Sequence, residues 1–336
     1  MAGLNSTAVS LVDFVKRRQP NGGVETEIVE LLSQDNPILT DMLWREGNLA
    51  TGHRAVMRTG LPTGTWRKFN QGVPNSKSTT AQVDFACAMY EQKGAIDKDL
   101  AMLDGATAEM RLSENVAHLE AMNNDMATQL FYGDASTPER FIGFSAYYNS
   151  LSAVNGINIL NAAGSGSDNT SIWLVGWGQN TVFGIFPKGS VGGVQHTPVQ
   201  DGSGDGCVEF DDGTATGATF RAFVDRYQWK CGLCLKDWRY VARIANIDVS
   251  NLVGESSAAD LIKLMSRATD RIKSNKGVKL AFYMNRTVYS MLKIQALNKS
   301  ANALSIEEAL GQTELRFLGI PIRMCDALTL AEAVVS

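Results

Sequence analysis

Residues 97–131 read DKDLAMLDGATAEMRLSENVAHLEAMNNDMATQLF. Leu100 and Leu103, then Leu112, Val116, Leu119, Met126 and Leu130 recur at steps of three and four, the period of an amphipathic helix. The pattern predicts one helix over Asp97–Phe131 with a bend at Gly105, and at 1.5 Å per residue it spans roughly 50 Å. Its polar side carries Asp97, Asp99, Asp104, Glu109, Glu114, Glu120 and Asp125 against Lys98 and Arg111, seven acids less two bases, a net of −5. Taken alone, such a charge run is a solvated face.

The stretch before it has the opposite sign. Between Gly47 and Val83 stand Arg54, Arg58, Arg67, Lys68 and Lys77 and no Asp or Glu, a local +5 in a chain whose formal charge is −4. Turn residues at Gly60, Pro62, Gly64, Gly72 and Pro74 break up Val56, Trp66 and Phe69, so this segment reads as a long β-hairpin loop with few core residues. Five cations beside Trp66 and Phe69 suit either nucleic-acid stacking or a protein-binding arm. Further upstream, residues 6–19 fit a short helix with Val9, Val12 and Val15 on one side, and Glu25 to Ser33 a second. The two bury too little to fold alone and read as an arm.

Beyond Phe141 the pattern becomes short β-type runs: Ile172–Val175, Thr181–Phe186, Phe220–Val224, Tyr227–Leu235 and Arg239–Ile244, with a Gly/Asp-rich hairpin around 187–219. Two helices follow, Ser257–Ser274 opened by Ser257 and Asp260, and Asn285 to about Leu297, with strand Lys279–Met284 between them. Glu314–Met324 reads as one further strand, with Pro321 marking an edge or bulge.

The chemistry on offer is thin. The 336 residues suit about two domains, and 44% hydrophobic with 20% charged residues are ordinary globular figures. No apolar run approaches a membrane span, and Lys16–Arg18 follow rather than precede the apolar stretch, unlike a secretory signal; the expectation is a cytosolic product. Three widely spaced histidines give no His-based relay or metal site. Five cysteines, an odd number, fit reduced thiols better than disulfides. Cys231 and Cys234 have redox spacing, but the alternation Tyr227, Trp229, Cys231, Leu233, Leu235 puts them on a strand, facing opposite sides, not at a helix N-terminus that would lower a thiol pKa. Asp201-Gly-Ser-Gly-Asp205-Gly206 with Asp212 approximates a calcium loop, yet the twelfth residue is not Glu and the flanks are extended. No phosphate loop or nucleophile elbow is present, and neither a cofactor nor a metal is expected.

The order of elements is itself informative: arm, basic β-loop, long acidic helix, mixed α/β region, closing strand. Together with Asn36-Pro37-Ile38-Leu39, Phe141-Ile142-Gly143-Phe144, Trp173–Gly178 with Pro187-Lys188-Gly189, Trp229–Leu233 through Asp237–Ile247, and Phe317–Ile322, it resembles the major capsid protein of tailed bacteriophages, the Hong Kong phage capsid fold, podovirus-like. The resemblance implies an α+β fold divided into an N-terminal arm (1–46), an extended β-loop (47–83), a peripheral domain with the spine helix (84–144), an axial domain (145–310) and the closing peripheral strand (311–336). It also implies a structural protein, not an enzyme, that assembles with itself into pentamers and hexamers of an icosahedral shell around packaged double-stranded DNA. Portal, a separate scaffolding protein and a decoration protein are the implied partners, and the host bacterial cytoplasm the place of assembly. The candidate intersubunit contacts are Arg54, Arg58, Arg67, Lys68 and Lys77 on the loop against Asp97, Asp99, Asp104, Glu109 and Glu114 on the helix. Some relatives weld the shell through a Lys–Asn isopeptide bond, but no Asn follows Asn302, so maturation should be noncovalent. An encapsulin-like compartment shell and a thiol enzyme using Cys231 and Cys234 are the alternatives.

Overall fold

The computed structural model describes residues 34–103, 107–211, 217–254, 258–274, 277–298, 304–309 and 312–336. Along these the chain forms strands β1 (Trp44–Glu46), β2 (Gly52–Gly60), β3 (Thr79–Ala86), β4 (Ala88–Asp97), β5 (Ile159–Asn161), β6 (Asn169–Trp177), β7 (Val182–Phe186), β8 (Val194–Val199), β9 (Val208–Asp211), β10 (Thr219–Leu235), β11 (Val241–Asp248), β12 (Lys279–Met284), β13 (Leu304–Ala309), β14 (Gln312–Phe317) and β15 (Ile320–Met324). The long helices are α1 (Thr107–Tyr132), α2 (Leu261–Arg271) and α3 (Arg286–Asn298). The chain divides into two compact units: the larger holds residues 37–88, 129–192 and 231–336, the smaller residues 89–128, 193–230 and those up to 36.

The larger unit is built around β6, whose nine residues are all buried. A strand covered on both faces needs apolar residues on both, which is why Ile172–Val175 is continuous rather than alternating. On one face Ile172 and Leu174 join Ile244, Leu280 and Phe282 under Leu261, Met265 and Ala268 of α2 and Val288 and Leu292 of α3. Trp173 points the other way, into a cluster with Phe131, Phe144 and Tyr148 whose ring centroids lie 5.7–6.3 Å away. Strands β12 and β11 flank β6 antiparallel, and β1 adds parallel to β7. Gly184 is obligatory there, because a Cβ would sit 2.7 Å from the Trp44 ring.

A charged strap closes this unit. Arg243 and Glu332, each with a side chain 4% exposed, pair at 2.8 Å, and Arg243 spends its other donors on Ser171 Oγ and the Tyr148 carbonyl. Tyr132 donates to Glu332 at 2.6 Å. Asn246 donates to the Val335 carbonyl and accepts its N–H. With each of the three guanidinium nitrogens hydrogen-bonded, the buried pair is tolerated and fixes where the C-terminal residues lie.

In the smaller unit β8 and β9 run antiparallel to the first part of β10. The sequence reading placed two strands, Phe220–Val224 and Tyr227–Leu235; they are one strand, β10. Asp225, in the gap between those two runs, stays in the strand at 4% exposure because the Arg111 guanidinium pairs with it (2.8 Å) and His196 Nε2 lies within hydrogen-bond distance (2.8 Å). The single helix expected over Asp97–Phe131 is also divided. Asp97 has extended backbone and caps a four-residue helical turn, Lys98–Ala101, by accepting from the N–H groups of Asp99 and Leu100, and α1 starts afresh at Thr107. Gly105 and Asp104 lie outside the described residues, as do both arm helices and Ser257. Asp260 caps α2, accepting from Lys263 N–H at 3.2 Å. Glu314–Met324 is two strands, since Leu318 (φ 50°) and Gly319 (φ 80°) make a tight turn that folds β15 back on β14.

Replacing Glu332 by Ala would leave the Arg243 guanidinium buried and uncompensated. Urea unfolding of dissociated subunits should show a loss of about 3–5 kcal/mol, and Arg243→Met combined with Glu332→Leu should recover most of it.

Candidate assembly surface

Strands β2 and β3 form a two-stranded antiparallel ribbon with Gly52 opposite Ala86 and Gly60 opposite Thr79. Only Gly52, Ala55 and Phe85 of the ribbon are buried. A lone hairpin is marginally stable in water, so this one relies on its root and on local bonds: Asn48 accepts from Arg54 N–H at 2.7 Å and donates to the Arg54 carbonyl at 2.9 Å. Residues 61–78, between the strands, carry no regular structure and are almost wholly exposed. At the far end Trp66 is 101% and Phe69 99% exposed, with Leu61 (76%) and Val73 (54%) nearby in sequence. Asn70 turns the chain there with φ 64°. Arg67 and Lys68 stand between the two aromatic rings in sequence, both exposed.

Arg54 differs from the other four cations of the loop. Its guanidinium forms a two-point bond with Asp84, Nε to Oδ1 and Nη2 to Oδ2, both 2.7 Å. That bond and the charge beside it hold Asp84 below the usual carboxylate range and raise Arg54. Asp84 falls one residue past the stretch with no acids, so the +5 count overstates the field by one. Arg58, Arg67, Lys68 and Lys77 are exposed. Among the predicted acids, Asp99 and Glu109 are exposed, Asp97 and Glu114 are half-buried, and Asp97 is partly occupied as a cap. The larger surprise lies on α1. Leu112, Val116 and Leu119, residues of the apolar stripe that identified the helix, are 59%, 52% and 43% exposed, while Met110, Met122 and Met126 are buried. The periodic signal was real, but part of it is surface.

The alternative chemistries find no site among the described residues. Burial pushes the Cys234 thiol up to about 12 and Cys87 to about 11, and raises Cys231 further still, the reverse of what a redox thiolate needs. No disulfide joins any of the five cysteines. In the calcium-like loop Arg221 bonds both Asp201 and Asp205, and Lys98 reaches Asp205 at 3.0 Å. Hydrogen bonds from Lys98 and then Arg221 bring Asp205 down to about 2. Protein cations already fill the role of a metal there, Asp212 lies outside the described residues, and no group of three metal-binding side chains occurs among those described. No described helix is long and apolar enough to cross a membrane.

The chain superposes over its full length (100% of each) on a chain in the structure of bacteriophage epsilon15, with TM-score 0.76 and 34% sequence identity, which makes it a protein of the tailed-phage capsid class. A family model for the major capsid protein GP7 matches residues 19–336. The chain belongs to that family: it is a structural shell protein of a phage virion, not an enzyme, and it assembles with copies of itself. Lower similarity is found to a chain of Microbacterium phage Oxtober96 (TM-score 0.44, 9% identity, 70% of this chain and 98% of that one) and to the encapsulin of Synechococcus elongatus (0.42, 8%, 71% and 96%). No curated protein compared with it matches.

Asp225 gives the smaller unit an acid-sensitive joint. Burial raises its carboxyl, but hydrogen bonds from Arg111 and His196 outweigh this and bring it below its ordinary value. A depressed carboxylate contributes stability above its unfolded pKa of about 3.9 and loses it as pH falls through the folded value. The stability difference between wild type and Asp225→Asn should therefore be full at pH 5–7 and shrink below about pH 4 in urea titrations.

Proposed function

We propose that the β2–β3 hairpin of one subunit lies on the next subunit of a ring, with Arg58, Arg67, Lys68 and Lys77 facing its Asp97, Asp99, Asp104, Glu109 and Glu114. The complete exposure of Trp66 and Phe69 carries this reading: two aromatic side chains that none of the described residues covers are what a docking tip presents. A head-to-tail contact of this kind closes by rotation, in keeping with pentamers and hexamers of an icosahedral shell. Exposed ion pairs bring only about 0–1 kcal/mol each, so the charges set register and encounter while the aromatics supply affinity.

In this reading residues 1–46 act as the arm, 47–83 as the extended loop, 84–144 and 311–336 as the peripheral domain and 145–310 as the axial domain. The shell encloses double-stranded DNA, is built in the host cytoplasm with a portal and a scaffolding protein, and accepts a decoration protein. Arg54 is left out of the contact because Asp84 already holds it.

Changing Arg58, Arg67, Lys68 and Lys77 together to Glu should leave a soluble, cooperatively melting subunit that forms no shells at low salt by electron microscopy. Added salt should restore assembly in part, and so should Asp99→Lys with Glu109→Lys. Normal shells from the reversed protein at low salt would defeat the hairpin assignment. Mature particles boiled in detergent should run as a single band at the monomer mass; a ladder of covalent multimers would contradict noncovalent maturation.

A further inference from the structure

Part of α1 is an apolar band that none of the described residues covers. Leu112, Val116 and Leu119, at i, i+4 and i+7, fall on one narrow side of the helix, and the same side continues into Met126, which is buried at 3% exposure. Glu109 and Glu120 border the band. The chain enters the smaller unit beside it: the Gln34 N–H donates to Glu120 Oε1 at 3.1 Å, and Asn36 Nδ2 donates to Asn124 Oδ1 at 3.3 Å. Whatever precedes residue 34 therefore departs from the flank of this band.

We propose that residues 6–19 of the same chain occupy it. Three observations favour this occupant. Val9, Val12 and Val15 repeat every three residues over about 9 Å of helix, matching the roughly 10 Å from Leu112 to Leu119. Lys16, Arg17 and Arg18 follow directly and suit a border of Glu109 and Glu120. Residues 20–33 link the segment to Gln34; with 20–24, which include Pro20, Gly22 and Gly23, extended and the predicted helix 25–33 at 1.5 Å per residue, the link spans about 30 Å. Anchored at Gln34, it holds the segment near the band at an effective concentration of the order of millimolar, which favours the chain's own segment over a free partner. The proposal concerns one subunit and stands apart from how the hairpin docks.

Paired cysteines test it. Val12→Cys with Val116→Cys, in the full chain, should be joined by a short bismaleimide at least fivefold more than Val12→Cys with Ala121→Cys, because Ala121 is exposed on the opposite side of α1. The product should run at monomer mass, in dissociated subunits as in shells. Equal yields for the two pairs, or a product at the mass of two chains, would overturn the assignment. Independently, Leu112→Ser with Val116→Ser should speed tryptic cleavage after Lys16, Arg17 and Arg18 at least threefold while circular dichroism stays unchanged; an unaltered cleavage rate would also overturn it.

Discussion

Apolar surface that the described residues leave in solvent is the constraint on which this structure turns. A monomer avoids holding large aromatic and aliphatic side chains in water, because each forgoes roughly 1.5–3 kcal/mol of burial. This chain keeps Trp66, Phe69 and Leu61 on a ribbon that folding leaves in solvent, and Leu112, Val116 and Leu119 on a helix whose other side is core. For an enzyme such exposure would be a liability to aggregation. For a shell protein it is the material from which contacts between copies and between segments are made.

Rigidity elsewhere makes that exposure tolerable. In the larger unit β6 is covered on both faces, by α2 and α3 on one and by the Phe131, Phe144 and Tyr148 rings on the other. The Arg243–Glu332 pair then holds the C-terminal strap at one place rather than several. A buried ion pair adds little net stability over a hydrophobic replacement; here its role is positional. Asp225 does the same in the smaller unit, keeping a 17-residue strand continuous where a lone acid would have been driven to solvent.

The charge pattern has a similar logic. Within the hairpin one cation is spent on Asp84, and in the Gly/Asp-rich loop Arg221 and Lys98 are spent on Asp201 and Asp205. Local carboxylates thus settle which basic residues organise the subunit itself. The other exposed cations of the loop include Arg67, whose guanidinium reaches only the nearby Gln71 carbonyl at 3.4 Å, and none of the four is paired with a carboxylate among the described residues.

From sequence alone the α+β class, the basic hairpin, the long helix and the absence of catalytic machinery were legible, because each rests on local periodicity, turn chemistry or residue supply. The shell-protein family, too, was readable in the order of those elements. What the sequence did not decide is which stretch of a periodic pattern is core: Leu112, Val116 and Leu119 and then Met126 and Leu130 are one pattern in sequence, and only packing among the described residues leaves the first three exposed and buries the last two. Nor did it decide that Asp225 stays within a strand, that Asp97 ends one and caps a turn, or that Leu318 and Gly319 reverse the chain. Each of those depends on a partner far away in sequence or on a single backbone dihedral, and hydrophobic periodicity encodes neither.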